Sequence, residues 1–122
     1  MKHILVVDDD PTILDLVTQV LAAAGYEVHA AQDGLEAMDT LAGGCPDLII
    51  TDVNMPVIDG GTLVGIMRAR EETKNAPVLG ITALTDLRRA NDAYFTDVIH
   101  KPFDIDDLVM VVDRLLGQAS RM

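Results

Sequence analysis

Apolar residues in this chain follow two alternating patterns: short unbroken runs, and longer stretches in which they recur every three or four positions. Ile4 to Val7 is a run of the first kind. It stops abruptly at Asp8-Asp9-Asp10-Pro11, which predicts a buried strand passing at once into a helix. Asp10 is placed to cap that helix and Pro11 to fill its first turn. Ile13, Val17, Val20, Leu21 and Ala24 then keep helical spacing, and Gly25 follows as a C-terminal stop. A second strand is expected at Glu27 to Ala31. Asp33, with Glu36 three residues on, makes a capping-box-like start for a helix through Leu41, closed by Gly43-Gly44. Leu48 to Thr51 is the third strand. The turn-rich stretch Met55 to Gly61 leads into a helix from about Thr62 to Glu72, and Pro77 to Thr82 supplies the fourth strand. A helix over Leu84 to Ala93 and a short strand at Asp97 to His100 follow. The closing helix carries Ile105, Leu108, Val109, Val112, Leu115 and Leu116 on one apolar stripe. Met38, Met67 and Met110 lie within such helices and are expected to fill core space.

Successive strand-helix units with apolar strands predict an α/β fold with a doubly wound, five-stranded parallel sheet covered by helices on both faces. Parallel strands need crossovers, and those crossovers are right-handed. A chain of 122 residues is one domain's worth, so a single domain over 1–122 is expected. Neither repeats nor low-complexity segments break it up. With 49% hydrophobic and 24% charged residues the composition is that of a globular protein, which excludes disorder and collagen. No apolar run reaches the length of a membrane span, and the start lacks a secretion signal, so a cytoplasmic location is expected. The lone Cys45 forms no internal disulfide and is expected to be a small buried or half-buried hydrophobe.

Charge narrows the partners. Twenty acidic against 9 basic side chains give a net charge of -11, which repels a nucleic-acid backbone unless a local basic patch overcomes the sum. Arg68 with Arg70, and Arg88 with Arg89, are only short pairs, and 3% aromatic residues leave few platforms for base stacking. Direct nucleic-acid binding is not expected.

In an open sheet of this kind ligands sit beyond the carboxyl ends of the strands, where the strand order switches. Strand one ends in Asp8 and Asp9, strand three in Asp52, strand four in Thr82 and strand five in Lys101-Pro102. Two like charges about 4 Å apart repel by on the order of 4 kcal/mol at a surface-like dielectric, so close carboxylates need something to offset them. A protonated carboxyl is one answer; a divalent cation is the better one, because Mg²⁺ favours one or two carboxylates, retained waters and a phosphate. Lys101 offers a fixed positive charge and Thr82 a hydroxyl donor for an anion in the same place. Those are the parts of a phosphoryl-transfer site.

With these residues assembled, the chain resembles the receiver domain of two-component response regulators over essentially its whole length. The resemblance rests on Val6-Val7-Asp8-Asp9, on Asp52-Val53-Asn54-Met55-Pro56 with Asp59-Gly60, on Thr82-Ala83, and on Lys101-Pro102-Phe103. It implies a flavodoxin-like three-layer sandwich and a phosphoacceptor signalling module rather than an enzyme. Asp52 would be both the phosphoacceptor and a Mg²⁺ ligand, Asp9 a direct Mg²⁺ ligand, Asp8 a ligand acting mainly through water, and Asn54 a ligand through its backbone carbonyl. Thr82 would bind a phosphoryl oxygen and Lys101 would pair with the phosphoryl group. It also implies a cis Lys101-Pro102 peptide, and a sensor histidine kinase or histidine phosphotransfer protein as donor, docking on the first helix. A downstream protein target would receive the signal, and the acyl phosphate would hydrolyse slowly in water. Both a stand-alone regulator and a piece of a longer protein remain open.

Other readings are weighed against it. Asp8-Asp9-Asp10-Pro11-Thr12 is also similar to the nucleophile motif of haloacid-dehalogenase-type phosphatases, with Asp8 as nucleophile; that reading leaves no room for a flap and no role for Asp52. A flavodoxin-type electron carrier would place a flavin phosphate against Asp8-Asp9-Asp10, which repel it. A receiver-like docking module that takes no phosphate is kept in view by two departures from the family pattern. Val98 stands where an aromatic residue usually swings inward, and Tyr94-Phe95 replaces the usual small pair. Phosphorylation with an altered threonine-aromatic relay is therefore expected. Asn54 and Leu84 occupy the positions that tune phosphate lifetime in the family, and an apolar Leu84 cannot orient an attacking water. Asp10 is explained as a cap, and Asp59-Gly60 as turn chemistry. His3, His29 and His100 lie on separate elements without ligand spacing, so no histidine metal site is expected.

Overall fold

The start of the chain folds as its capping residues require. The Asp10 carboxylate accepts a hydrogen bond from the Thr12 N–H at 2.9 Å, and Pro11 fills the first position of helix α1 (Pro11–Ala23). Downstream, Gly25 takes φ of 100°, a left-handed conformation that a side chain would resist, and the chain turns back into the sheet. Asp33 repeats the device for α2 (Gly34–Ala42), accepting from the Glu36 N–H at 2.9 Å, while the Glu36 carboxylate reaches back to the Gln32 N–H at 3.3 Å.

The computed structural model describes residues 1–53, 60–82 and 95–117. Besides α1 and α2, they form strands β1 (His3–Val7), β2 (Glu27–Ala31), β3 (Leu48–Asp52), β4 (Val78–Thr82) and β5 (Asp97–His100), with helices α3 (Gly60–Arg68) and α4 (Ile105–Leu115). The expected helix over 84–93 lies outside the described residues. All strand pairs are parallel, in the order β2-β1-β3-β4-β5. The chain steps from β1 outward to β2, then crosses to the other side for β3, so the order reverses between β1 and β3. A crevice opens there beyond the strand ends.

Alternate residues of the central strands β1, β3 and β4 feed opposite faces, which is why those strands are almost wholly apolar, while the edge strands β2 and β5 carry polar residues. Ile4 and Val6 of β1, with Leu48 and Ile50 of β3, pack under α1 and α4 through Leu14, Val17, Leu21, Leu108 and Val112. Leu5, Val7 and Ile49 point the other way, against Ala37 and Leu41 of α2 and Leu63, Val64 and Met67 of α3. The two sides together make the three-layer α/β sandwich. A buried polar pair joins the layers: the Tyr26 hydroxyl donates to Asp113 Oδ1, which ties α4 to the turn between α1 and β2.

Several expectations need correction. The third helix ends at Arg68 rather than near Glu72. A terminal carbonyl finds other partners, Met67 O accepting from the Thr73 hydroxyl at 2.6 Å and from the Arg70 N–H at 3.1 Å, and the Arg68 guanidinium braces the turn that follows by donating to Lys74 O at 3.0 Å. Cys45 is exposed rather than buried, because it lies in the surface loop between α2 and β3, where its Sγ donates to Pro46 O at 3.4 Å. Met67 fills core space and Met38 packs at its margin, but Met110 is 63% exposed; two positions after Leu108, it falls off the buried stripe of α4. Ile105, the first residue of α4, is exposed as well.

Candidate functional site

The reversal between β1 and β3 gathers acidic groups from distant parts of the chain. Asp8 follows the last residue of β1, and Asp52 is the last residue of β3; both are buried, at 2% and 6% exposure, while Asp9 is exposed. One carboxylate oxygen from each of Asp8, Asp9 and Asp52 lies within 4.8 Å of the others. Lys101, just past β5, brings its Nζ to 3.3 Å from Asp52 Oδ2 and 3.9 Å from Asp8 Oδ2. The Lys101–Pro102 peptide is cis, and the Lys101 N–H donates to Thr82 O at 2.8 Å. Thr82 is buried at the end of β4. Asp52 pairs in register with Ile81, so Thr82 stands one residue further out on the neighbouring strand, at the same edge of the crevice.

The Lys101 ammonium does not by itself neutralise this concentration of carboxylates. Burial, together with the charges of Asp52 and Asp9, pushes the Asp8 carboxyl from its usual 3.8 up to about 6, against the opposing pull of the Asp10 N–H and Lys101. The Asp10 N–H donates to Asp8 Oδ1 at 2.9 Å, whereas Asp8 Oδ2 is buried with no hydrogen-bond partner among the described residues. An orphaned carboxylate oxygen beside two further carboxylates is what a hard divalent cation would satisfy. An all-oxygen donor set suits Mg²⁺ better than a softer metal, so the residues fit that ion.

The structure places Asp8, Asp9, Asp52, Thr82 and Lys101 together at the carboxyl end of the sheet. Asn54 and Leu84 lie outside the described residues. Val98 sits half-buried on β5, paired with Gly80. Next to it, the Phe95 ring lies over Gly80 so closely that a Cβ added there would stand 2.8 Å from Phe95 Cδ1. The aromatic residue that departs from the family pattern is accommodated by a glycine in the adjoining strand.

Two of the histidines that lie apart along the chain meet in the fold. His3 and His29 stack with ring centroids 5.8 Å apart, and donor atoms of His3, Glu27 and His29 lie within 4.8 Å of one another. The cause is register: His3 pairs with Glu27 across the parallel β1 and β2 strands, and His29 follows two residues on, on the same face. Spacing along the chain carries no trace of that meeting.

Comparison with known proteins agrees with the geometry. Residues 4–113 match the family model described as the response regulator receiver domain. The DNA-binding dual master transcriptional regulator RpaA of Synechocystis is 38% identical over 125 residues, an alignment covering 100% of this chain and 52% of the relative. Among solved structures, the Vibrio cholerae chemotaxis protein CheY4 is 34% identical with a TM-score of 0.86, covering 95% of this chain and 99% of that one. The receiver domain of a sensor histidine kinase from Pseudomonas aeruginosa, solved with magnesium coordinated in its active-site cleft, is 28% identical with a TM-score of 0.89, covering 96% and 98%. The chain belongs to the receiver domain family of two-component response regulators, and is a signalling module of the flavodoxin-like fold. It spans about half the length of RpaA and 26% of the regulatory protein AtoC of Escherichia coli, which is 33% identical. Among the described residues no helix is long and apolar enough to cross a membrane.

Proposed function

We propose that residues 1–122 act as one receiver domain, in the cytoplasm, that accepts a phosphoryl group on Asp52 from the phosphohistidine of a sensor kinase or phosphotransfer protein, or from a small acyl phosphate. An Asp52 carboxylate oxygen attacks phosphorus in line, the bond from phosphorus to the donor breaks, and the donor leaves with the electron pair. Asp8, Asp9 and Asp52, with the Asn54 carbonyl, would hold Mg²⁺. When bound there, the ion supplies positive charge between the carboxylates and the phosphoryl oxygens. Lys101 would pair with the phosphoryl group and Thr82 would donate its hydroxyl to a phosphoryl oxygen. The added charge would shift the domain's conformational balance by as much as these two residues favour the phosphorylated arrangement. Water then releases the group, slowly, because Leu84 has no polar atom to orient the attack. Output passes through protein contacts rather than through nucleic acid, and α1 is the proposed docking surface for the donor.

The observation that carries this reading is the meeting of Asp8, Asp9 and Asp52 with Lys101 at 3.3 Å from the proposed acceptor. The phosphatase alternative with Asp8 as nucleophile would leave Asp52 and its lysine contact unused. Incubation with acetyl phosphate and Mg²⁺, followed by intact-mass and peptide mapping, tests it. The expected product carries one phosphoryl group on Asp52, absent without Mg²⁺ and absent in Asp52→Asn. After donor removal it should decay more slowly than in Leu84→Glu. Modification of Asp8 instead, or none at all, would refute the assignment.

A further inference from the structure

The end of the sheet opposite the aspartates carries a second cluster of metal-binding groups. We infer that His3, Glu27 and His29 form a surface site for a borderline divalent transition-metal ion such as Zn²⁺, independent of the Mg²⁺ cleft. His3 opens β1 and Asp8 follows its far end, so about 16 Å of strand separates the two places. The donors suit that class of ion, since imidazole favours zinc, copper and nickel, whereas carboxylate, carbonyl and water favour magnesium. Two histidines and a glutamate make a protein set that leaves a further position to water or another ligand.

Geometry brings the set near closure. His3 Nδ1 lies 3.5 Å from Glu27 Oε2, while a tetrahedral centre with bonds of about 2.0–2.1 Å sets its donors about 3.3 Å apart. The His29 donor is already within 4.8 Å of both, and its ring lies nearly parallel to that of His3, 6° between planes. All of these side chains are exposed, so modest rotations can bring the nitrogens together without disturbing the core. The backbone beneath is held: the His3 N–H donates to Asp47 Oδ2 at 2.8 Å, and the Asp47 N–H returns a bond to His3 O at 2.8 Å. His3 and His29 also line a depression with Thr40, Gly43 and Gly44, at the C-terminal end of α2. The C-terminal end of a helix carries partial negative charge, which favours a cation near it. Cys45 lines the same depression but is not among the donors within 4.8 Å, so the proposal rests on the other three.

The chain contains three histidines, which makes the test selective. Zn²⁺ is titrated into the full chain in excess Mg²⁺, which keeps the aspartate cleft occupied, with uptake read by calorimetry and the imidazole resonances by NMR. One ion per chain is expected, with the His3 and His29 signals shifting and those of His100 unmoved. His3→Ala and His29→Ala should each weaken uptake by about tenfold or more, at least as much as loss of an outer-sphere partner. Unchanged far-ultraviolet circular dichroism in both variants separates ligand loss from unfolding. Uptake that survives the double substitution, uptake that moves His100 equally, or no uptake by the parent chain would overturn the proposal.

Discussion

Asp8 holds an unfavourable position in the fold. Its carboxyl is 2% exposed, one oxygen accepts no hydrogen bond among the described residues, and burial pushes the group from 3.8 up to about 6. A raised carboxyl pKa means that the folded state binds more protons than the unfolded state between those values, so stability falls as pH rises through that window. Below about pH 4 the penalty is absent; above about pH 6 it is complete, on the order of 3 kcal/mol. Asp8→Asn removes the charge while keeping an oxygen for the Asp10 N–H. Without Mg²⁺ this variant should therefore be more stable than the parent at pH 7.5, by about 1–3 kcal/mol, with the gain vanishing near pH 4. Urea unfolding at the two pH values checks it; equal stability at pH 7.5 would mean that the buried carboxylate is compensated by another route. Single residues also mark where sequence reasoning stops. Asp8, Asp52 and Lys101 were legible because strand-end position in this topology fixes where side chains gather. His3 and His29 were not, because their meeting depends on a pairing register between β1 and β2 that neither segment encodes alone.

Among the elements, those with both a cap and a strong apolar period were legible. Helices α1, α2 and α4 begin one residue after Asp10, Asp33 and Asp104, each of whose carboxylates accepts from a first-turn N–H. The end of α3 was not legible, since the Thr73 hydroxyl takes the Met67 carbonyl, which periodicity alone would pair within more helix, and the Arg68 guanidinium holds the following turn through Lys74 O. The contact between β4 and the segment entering β5 is also tertiary: Phe95 fills the space above Gly80. Gly80→Ala places a Cβ 2.8 Å from Phe95 Cδ1 in the centre of a buried strand, so it should destabilise by about 1–3 kcal/mol through overpacking. Phe95→Ala should destabilise by itself through lost apolar contact. The two together should cost less than their sum by about 1 kcal/mol, because the first clash needs the second ring. Denaturant unfolding of all four proteins closes the cycle; strict additivity would show that the glycine and the aromatic ring are not coupled.

Across the whole molecule, the acidic crevice links the stability of the sheet to its cation. Asp8 and Asp52 belong to adjacent strands at the centre of a five-stranded sheet, so a cation held by both is bound by the folded sheet and not by the separated strands. A ligand bound by the native state alone stabilises it by about 2.7 kcal/mol at one hundred times its dissociation constant. For a domain of 122 residues that corresponds to a rise in Tm on the order of 10 °C. A net charge of -11 complicates the measurement, because any added salt also relieves self-repulsion. The two contributions differ in form. Screening follows ionic strength and is shared by Na⁺, whereas site binding rises with the logarithm of Mg²⁺ concentration and requires the carboxylates. At matched ionic strength, Mg²⁺ should therefore raise Tm well beyond Na⁺, and the excess should disappear in Asp8→Asn and in Asp9→Asn while the shared component persists. Thermal scans in the two salts decide it. A Mg²⁺ excess that survives both substitutions would place the ion elsewhere, and no excess in the parent chain would leave the crowded aspartates without the cation that their geometry calls for.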